Sequence, residues 1–484
     1  MLGSMPDLPT PTLGSQPAAG PAANPATGPA RDVSAADGLP VPQRYWAMAA
    51  MTVALIMAVL DGVVANIALP TIQREFAVDA AGAIWVVNAY QLAVTVSLFP
   101  LASLGDIVGY RKVYWFGLAI FTAASLACAL SPNLATLTVA RVLQGIGGAG
   151  IMSVNLALVR HIYPSTHLGR GVGYNAMIVA VSSAAGPTLA ALILSVASWP
   201  WLFAVNVPLG LAALVVAARA MPASTPAGHR FDWLSAALNA GMLGLLIVGF
   251  KGVDGSQPAW LVAAGLGGAL ALGVMLVRRE LAQAAPLLPV DLLRRPVFAL
   301  TVVTSVCSFA AQNAAFVALP FYFEDVLHRS LAESGLLMTP WPLMVALIAP
   351  ISGRLADRYE PTRMAAAGLA LFAAGLALMA LLPADPSTLD VAWRMALAGF
   401  GFGLFQTPNN KVLVSSAPKE RSGGASGIQA TGRLLGQTLG AAAVGLVFTA
   451  MGKADGTVAV MWLGTGLCVL GCLTGLFRRR AAAA

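Results

Sequence analysis

Long apolar stretches separated by short polar breaks repeat along nearly the whole chain. Each runs for about the 20 residues that cross a bilayer as a helix. They lie near residues 45–69, 83–104, 113–131, 135–158, 172–196, 200–220, 232–251, 259–277, 297–323, 335–353, 364–382, 391–416, 424–450 and 457–477. The pattern predicts an all-α membrane protein with about 14 transmembrane helices. The pair 232–251 and 259–277 is bordered by Asp232, Lys251 and Asp254, and twelve spans remain without it.

The breaks carry the orientation. With the N-terminus placed in the cytoplasm, the inner segments hold about twenty Lys and Arg residues and the outer ones five: Arg74, Lys251, Arg329, Arg394 and Lys453. The positive-inside rule then puts both termini in the cytoplasm. A bacterial cytoplasmic membrane is the expected location.

Composition sharpens this reading. The chain is 58% hydrophobic and 10% charged, whereas a soluble protein carries about 25% charged residues. The net charge of +8 sits in inter-helix loops with no basic stripe, so nucleic acid is not the expected partner. Cys128, Cys307, Cys468 and Cys472 fall inside apolar spans, and His161, His167, His229 and His328 are scattered over loops. Neither set has metal-ligand spacing, so neither a metal nor another cofactor is expected. No soluble segment is large enough for an enzyme domain, and no phosphate-binding Gly-x-x-x-x-Gly-Lys-[Ser/Thr] run is present. An enzyme is not expected, and the energy source must be a gradient. Residues Met1–Gln43, rich in Pro, Ala and Gly, lack the basic start and apolar run of a signal peptide and are expected to form a disordered cytoplasmic tail.

A weak internal repeat divides the rest. Leu104-Gly-Asp-Ile-Val-Gly-Tyr-Arg-Lys112 follows the second span, and Gly353-Arg-Leu-Ala-Asp-Arg-Tyr-Glu-Pro-Thr-Arg363 follows the tenth. Both place an acid and then bases on a short cytoplasmic loop, as in transporters built from two related halves. The expected organisation is a tail over residues 1–43, a six-helix bundle over 44–221, two inserted helices over 222–285, and a second six-helix bundle with a basic tail over 286–484.

These residues resemble a known pattern, the major facilitator superfamily and, within it, the fourteen-span drug:proton antiporters. The resemblance rests on Leu60-Asp-Gly-Val-Val-Ala-Asn-Ile-Ala-Leu-Pro70 in span 1, the loop Gly105-Asp-Ile-Val-Gly-Tyr-Arg-Lys112, Arg141-Val-Leu-Gln-Gly-Ile-Gly-Gly148 in span 4, and Gly173 with Gly186-Pro187 in span 5. Trp199 to Gly210 and the linker Pro286 to Phe298 add to it. Departures are Ala102 in place of a glycine, Ile107 and Pro200 in place of bases, and Ala190-Ala191 in place of a glycine pair. The resemblance implies the major facilitator fold, two pseudo-symmetric six-helix bundles plus two inserted helices. It also implies proton-coupled efflux of lipophilic, drug-like small molecules by alternating access. Small-molecule substrate, protons and membrane lipids are then the partners, and the chain works as a monomer. An exporter of an endogenous metabolite or organic anion is the alternative. A receptor or channel is disfavoured by the two-fold repeat.

The candidate residues are the polar ones inside the spans. Asp61 is the only charge in span 1, and an intramembrane carboxylate costs at least about 2.5–3.5 kcal/mol. Arg141 lies about two turns below the outer end of span 4, at a matching depth, so an Asp61–Arg141 contact is expected. It serves either proton coupling or a static ion pair. Gln312, Asn313 and Phe316 in span 9, Gln406 and Asn410 in span 12, and Arg433 in span 13 are candidates for the substrate cavity, or else bonds between helices. Arg433 there favours a neutral, zwitterionic or anionic cargo. The resemblance makes Asp106, Gly109 and Arg111 a cytoplasmic latch, facing the start of span 13 near Ser422, with Asp357 and Arg358 as its mirror. Gly186 and Pro187 are expected to bend span 5, since proline removes a helical hydrogen bond.

Overall fold

The computed structural model describes residue 3 and residues 37–78, 80–224, 231–251, 258–283, 290–383 and 385–483. Most of the expected disordered tail, and the expected boundary at residues 285 and 286, lie outside the described residues.

Apolar runs this long leave the backbone no water to bond, so it pairs with itself as helix. Among the described residues every regular element is helical. The α-helices are α1 Gln43–Glu75, α2 Ala80–Val108, α3 Tyr110–Ala129, α4 Leu134–Ile162, α5 Leu168–Val196, α6 Trp201–Ala204, α7 Asn206–Ala220, α8 Trp233–Lys251, α9 Ala259–Leu281, α10 Val290–Leu293, α11 Pro296–Phe321, α12 Leu331–Met338, α13 Pro340–Arg358, α14 Pro361–Ala380, α15 Thr388–Ser416, α16 Ser422–Met451 and α17 Lys453–Ala483. Local signals set their ends. The Asn133 side chain accepts from the Thr136 N–H (2.9 Å) at the start of α4. Ser330 and Glu333 form a capping box on α12. Gly109, at φ +100°, makes the turn between α2 and α3, a conformation that favours glycine.

Eleven helical stretches among the described residues are long and apolar enough to cross a membrane, or twelve when the bent α5 is counted as one. The other two expected spans are α8, whose apolar part is the shorter Trp233–Leu246, and α15. The second has a physical reason. α15 carries Thr407, Asn409 and Asn410, which it buries inside the protein, so it need not match lipid.

Packing repeats between the halves, within the unit spanning Asp37–Ala484. α2 and α3 pack on α4, and α1 packs on α5 and α7. In the same way α13 and α14 pack on α15, and α11 packs on α16 and α17. One apolar core fills the first set around Tyr114, Phe121 and Leu158. Another fills the second around Trp341, Phe372 and Phe402. The sets meet where α5 lies on α13 and where α16 lies on α2 and α4. Glycine permits the first crossing, because a Cβ on Gly173 would sit 3.2 Å from the Gly353 Cα. α8 and α9 pack on each other, and α8 touches α2, where Asn239 donates to the Val96 carbonyl (3.2 Å). Their base is tied by Asp232, which accepts from Arg279 (3.1 Å) and Ser235 Oγ (2.7 Å) and also from Gln283. Burial pushes the Asp232 carboxyl up, but these donors outweigh it and hold the group well below the usual carboxylate range.

Candidate functional site

α1 and α4 bring Asp61 and Arg141 together, and their side chains are 1% and 0% exposed. Arg141 Nη1 forms an ion pair with Asp61 Oδ2. Gln144, three residues along α4 and so on the same face, donates to Asp61 Oδ1 (2.8 Å) and accepts from Arg141 Nη1 (2.6 Å). Ser125 Oγ accepts a second bond from Gln144 (2.9 Å), and Cys128 Sγ lies 3.4 Å from Gln144 Oε1. Arg141 Nε donates to the Val86 carbonyl (3.0 Å), and its guanidinium lies 4.3 Å from the centre of the Tyr90 ring. Tyr90 in turn donates to the Ala58 carbonyl (3.1 Å). The carboxylate thus faces protein on every side rather than lipid. A buried pair held by further hydrogen bonds can keep both charges, and a proton added to Asp61 would weaken every bond it accepts.

A cavity of about 270 Å³ opens between the halves, lined from α5, α11, α13, α15 and α16. Gln312, Asn313, Phe316, Gln406 and Arg433 all line it. Asn410 lines a smaller pocket of about 40 Å³ that shares Gln406 and Arg433. Asn313 also bonds the Gln437 carbonyl (2.7 Å), so its amide joins α11 to α16 as well. A series of edge-to-face aromatic contacts runs back from the lining. Phe316 meets Trp341 edge-to-face at 5.0 Å, Trp341 meets Phe372 at 5.3 Å, and Phe372 meets Phe402 at 5.5 Å.

Two acids join the halves at one end. Asp106 accepts from the backbone N–H groups of Gly423 (2.9 Å) and Gly424 (3.2 Å) at the start of α16, and from Tyr110 Oη (2.5 Å). A side chain on Gly423 would run into that carboxylate. Asp357 accepts from the N–H groups of Gly169 (2.7 Å) and Arg170 (3.1 Å) at the start of α5, and pairs with Lys411 Nζ (2.7 Å). Both acids therefore sit at helix N-termini, where partial positive charge favours them. Arg111 instead donates to the Ala218 carbonyl. Arg358 is exposed and forms no ion pair among the described residues. Close to this end Asp37 caps the turn before α5, accepting from the Ser165 Oγ (2.5 Å) and N–H (2.9 Å), and these bonds with nearby Lys419 lower its pKa.

α5 bends by 47° at a break between Gly186 and Thr188, where Pro187 lacks an N–H. Gln144, Tyr90 and Trp341 are participants that sequence reasoning assigned no part at these sites. Gln144 carried a usable signal, its i+3 spacing from Arg141. Trp341 and Tyr90 carried none, since an aromatic in an apolar span is ordinary.

Known proteins share this architecture. The profile of the Major Facilitator Superfamily matches residues 51–441 and 304–483. The uncharacterized transporter YebQ of Escherichia coli strain K12 is 52% identical over 443 residues, 91% of this chain and 97% of YebQ. The multidrug resistance protein Stp of Mycobacterium tuberculosis strain H37Rv is 32% identical over 406 residues, 82% of this chain and 74% of Stp. The crystal structure of the human organic anion transporter MFSD10 overlaps with a TM-score of 0.67 at 16% identity, over 90% of this chain and all of that one, a likeness of fold alone. With its helices, its two joined halves and these relatives, the chain belongs to the Major Facilitator Superfamily, whose members are multi-pass membrane transporters of small molecules.

Proposed function

We propose that the chain is a proton-coupled exporter of lipophilic, drug-like molecules that works by alternating access. The observation that carries the reading is the buried Asp61–Arg141–Gln144 network, in a fold that also holds a cavity between its two halves. The 32% identity to a protein named for multidrug resistance supports the cargo class.

The chemistry follows from the bonds. Ionised Asp61 holds α1 against α4 through Arg141 and Gln144. A proton on Asp61 removes the charge that Arg141 answers and frees the helices to shift. The cavity then opens to the other side, and deprotonation there restores the pair. Asp106 and Asp357 hold the latch end shut in one of the two states, each through two backbone N–H groups of the opposite half. The positive-inside rule assigns that end to the cytoplasm, so the closed latches correspond to an outward-directed cavity. The bend at Gly186 and Pro187 gives α5 a place to flex as the halves rock. One chain supplies the whole lining of the cavity, so a monomer suffices, seated in a bacterial cytoplasmic membrane.

The test is substrate-driven proton movement in proteoliposomes. Wild type is expected to move protons against substrate, and Asp61→Asn to lose that movement. An Asp61→Asn protein with unaltered proton coupling refutes the assignment.

A further inference from the structure

Arg433 lies ten residues beyond Gly423 on α16, about 15 Å from the latch at 1.5 Å per residue. It lines both the main cavity and the smaller pocket. It is the one charged residue on either lining, and no acid lines them. Among the described residues Arg433 forms no ion pair, and its Nε has no hydrogen-bond partner. The carboxylate of Asp61 is already taken by Arg141 and Gln144. A guanidinium cannot shed its proton, so its charge persists among amide and apolar side chains that carry no opposite charge. Such a charge is stable inside a membrane only when a counter-charge or water reaches it.

Resting on the reading of this cavity as the cargo site, we infer that the cargo is a flat aromatic molecule with one anionic group, a carboxylate or phenolate, which docks on Arg433. The other walls fit that shape. Phe316 presents aromatic surface for a ring, backed by buried Trp341 and Phe402, and Gln312 and Gln406 offer amide donors and acceptors to its substituents. A volume of about 270 Å³ suits one to two fused rings. A single guanidinium balances a single negative charge. It repels a lipophilic cation, and no carboxylate on the lining offsets that repulsion.

The experiment uses 2-naphthoate and ethidium as probes on the full chain. Binding to purified protein is measured by equilibrium dialysis, and flux in proteoliposomes under a proton gradient. Wild type is expected to bind and move naphthoate in preference to ethidium. Arg433→Gln is expected to weaken naphthoate binding about tenfold or more, because the charge partner is lost. Arg433→Lys, which keeps the charge, should recover part of it. A monodisperse elution profile confirms that the variants fold. Ethidium moved in preference to naphthoate overturns the inference while leaving the exporter reading intact. Equal naphthoate affinity in wild type and Arg433→Gln also overturns it, and means that water in the cavity satisfies Arg433. The exporter reading stands or falls separately, on proton coupling in Asp61→Asn with whichever probe moves.

Discussion

Arg141 and Arg433 both lie deep within the membrane-spanning bundle, and the protein treats them in opposite ways. Arg141 is held by a carboxylate, an amide, a backbone carbonyl and an aromatic face, although its Nη2 has no hydrogen-bond partner among the described residues. Arg433 looks into a cavity whose walls hold no opposite charge. A charge that the fold itself satisfies acts as part of the frame, and its removal harms the frame. A charge left open contributes nothing to the resting fold and, as proposed above, takes a ligand. The contrast therefore predicts stability effects of opposite sign at two residues of the same type.

The largest effect is expected at Arg141→Ala. It strands the Asp61 carboxylate without its cation, which costs about 3–5 kcal/mol. Thermal unfolding in detergent should show a large fall in Tm, and an unchanged Tm would break the comparison from the Arg141 side. Arg433→Met removes an uncompensated charge and keeps the side-chain bulk. Its expected effect is neutral to stabilising, by about 1 kcal/mol or more, together with loss of anion binding. A marked destabilisation would mean that Arg433 belongs to the frame after all.

The latches sharpen the comparison, because each acid is satisfied mainly by backbone. Asp106→Asn keeps one acceptor oxygen and loses the charge at the start of α16. The closed latch should weaken by about 1–2 kcal/mol, read as faster hydrogen exchange at Gly423 and Gly424. Lys411→Met leaves the two N–H bonds to Asp357 in place. Its expected effect is smaller, about 0.5–1 kcal/mol, with faster exchange at Gly169. Equal effects at the two sites would show that the ion pair, not the helix terminus, holds the second latch.

The smallest effect is expected at the base of the inserted helices, where half-exposed Arg279 meets Asp232. The folded Asp232 carboxyl titrates below its unfolded value. Its contribution is therefore complete above about pH 4 and is lost as pH falls through the lower folded value. Asp232→Asn should flatten the acid limb of the Tm–pH curve slightly and leave neutral pH almost untouched.

How much of this was legible in the chain depends on the kind of signal. Asp61 and Arg141 stand out because a charge in an apolar run is rare and costly. The same logic picks out Gln312, Gln406, Asn410 and Arg433, and the structure gathers them around connected spaces. The mirrored latch was less legible. The repeat marks Asp357, but Lys411 reaches it from 54 residues away, while the adjacent Arg358 points out to the surroundings. Gln144 and Tyr90 were missed for a related reason, since their roles exist only once α1, α2 and α4 lie side by side.

The sequence by itself determined the helices, their approximate number and the few polar groups placed within them, because backbone hydrogen bonding in lipid and the cost of burying charge act residue by residue. Only the tertiary structure decided which of those groups satisfy one another and which remain open. Pairing depends on distances between helices that lie far apart in the chain, so Arg141 closed on Asp61 and Arg433 left facing a cavity are properties of the packed bundle alone.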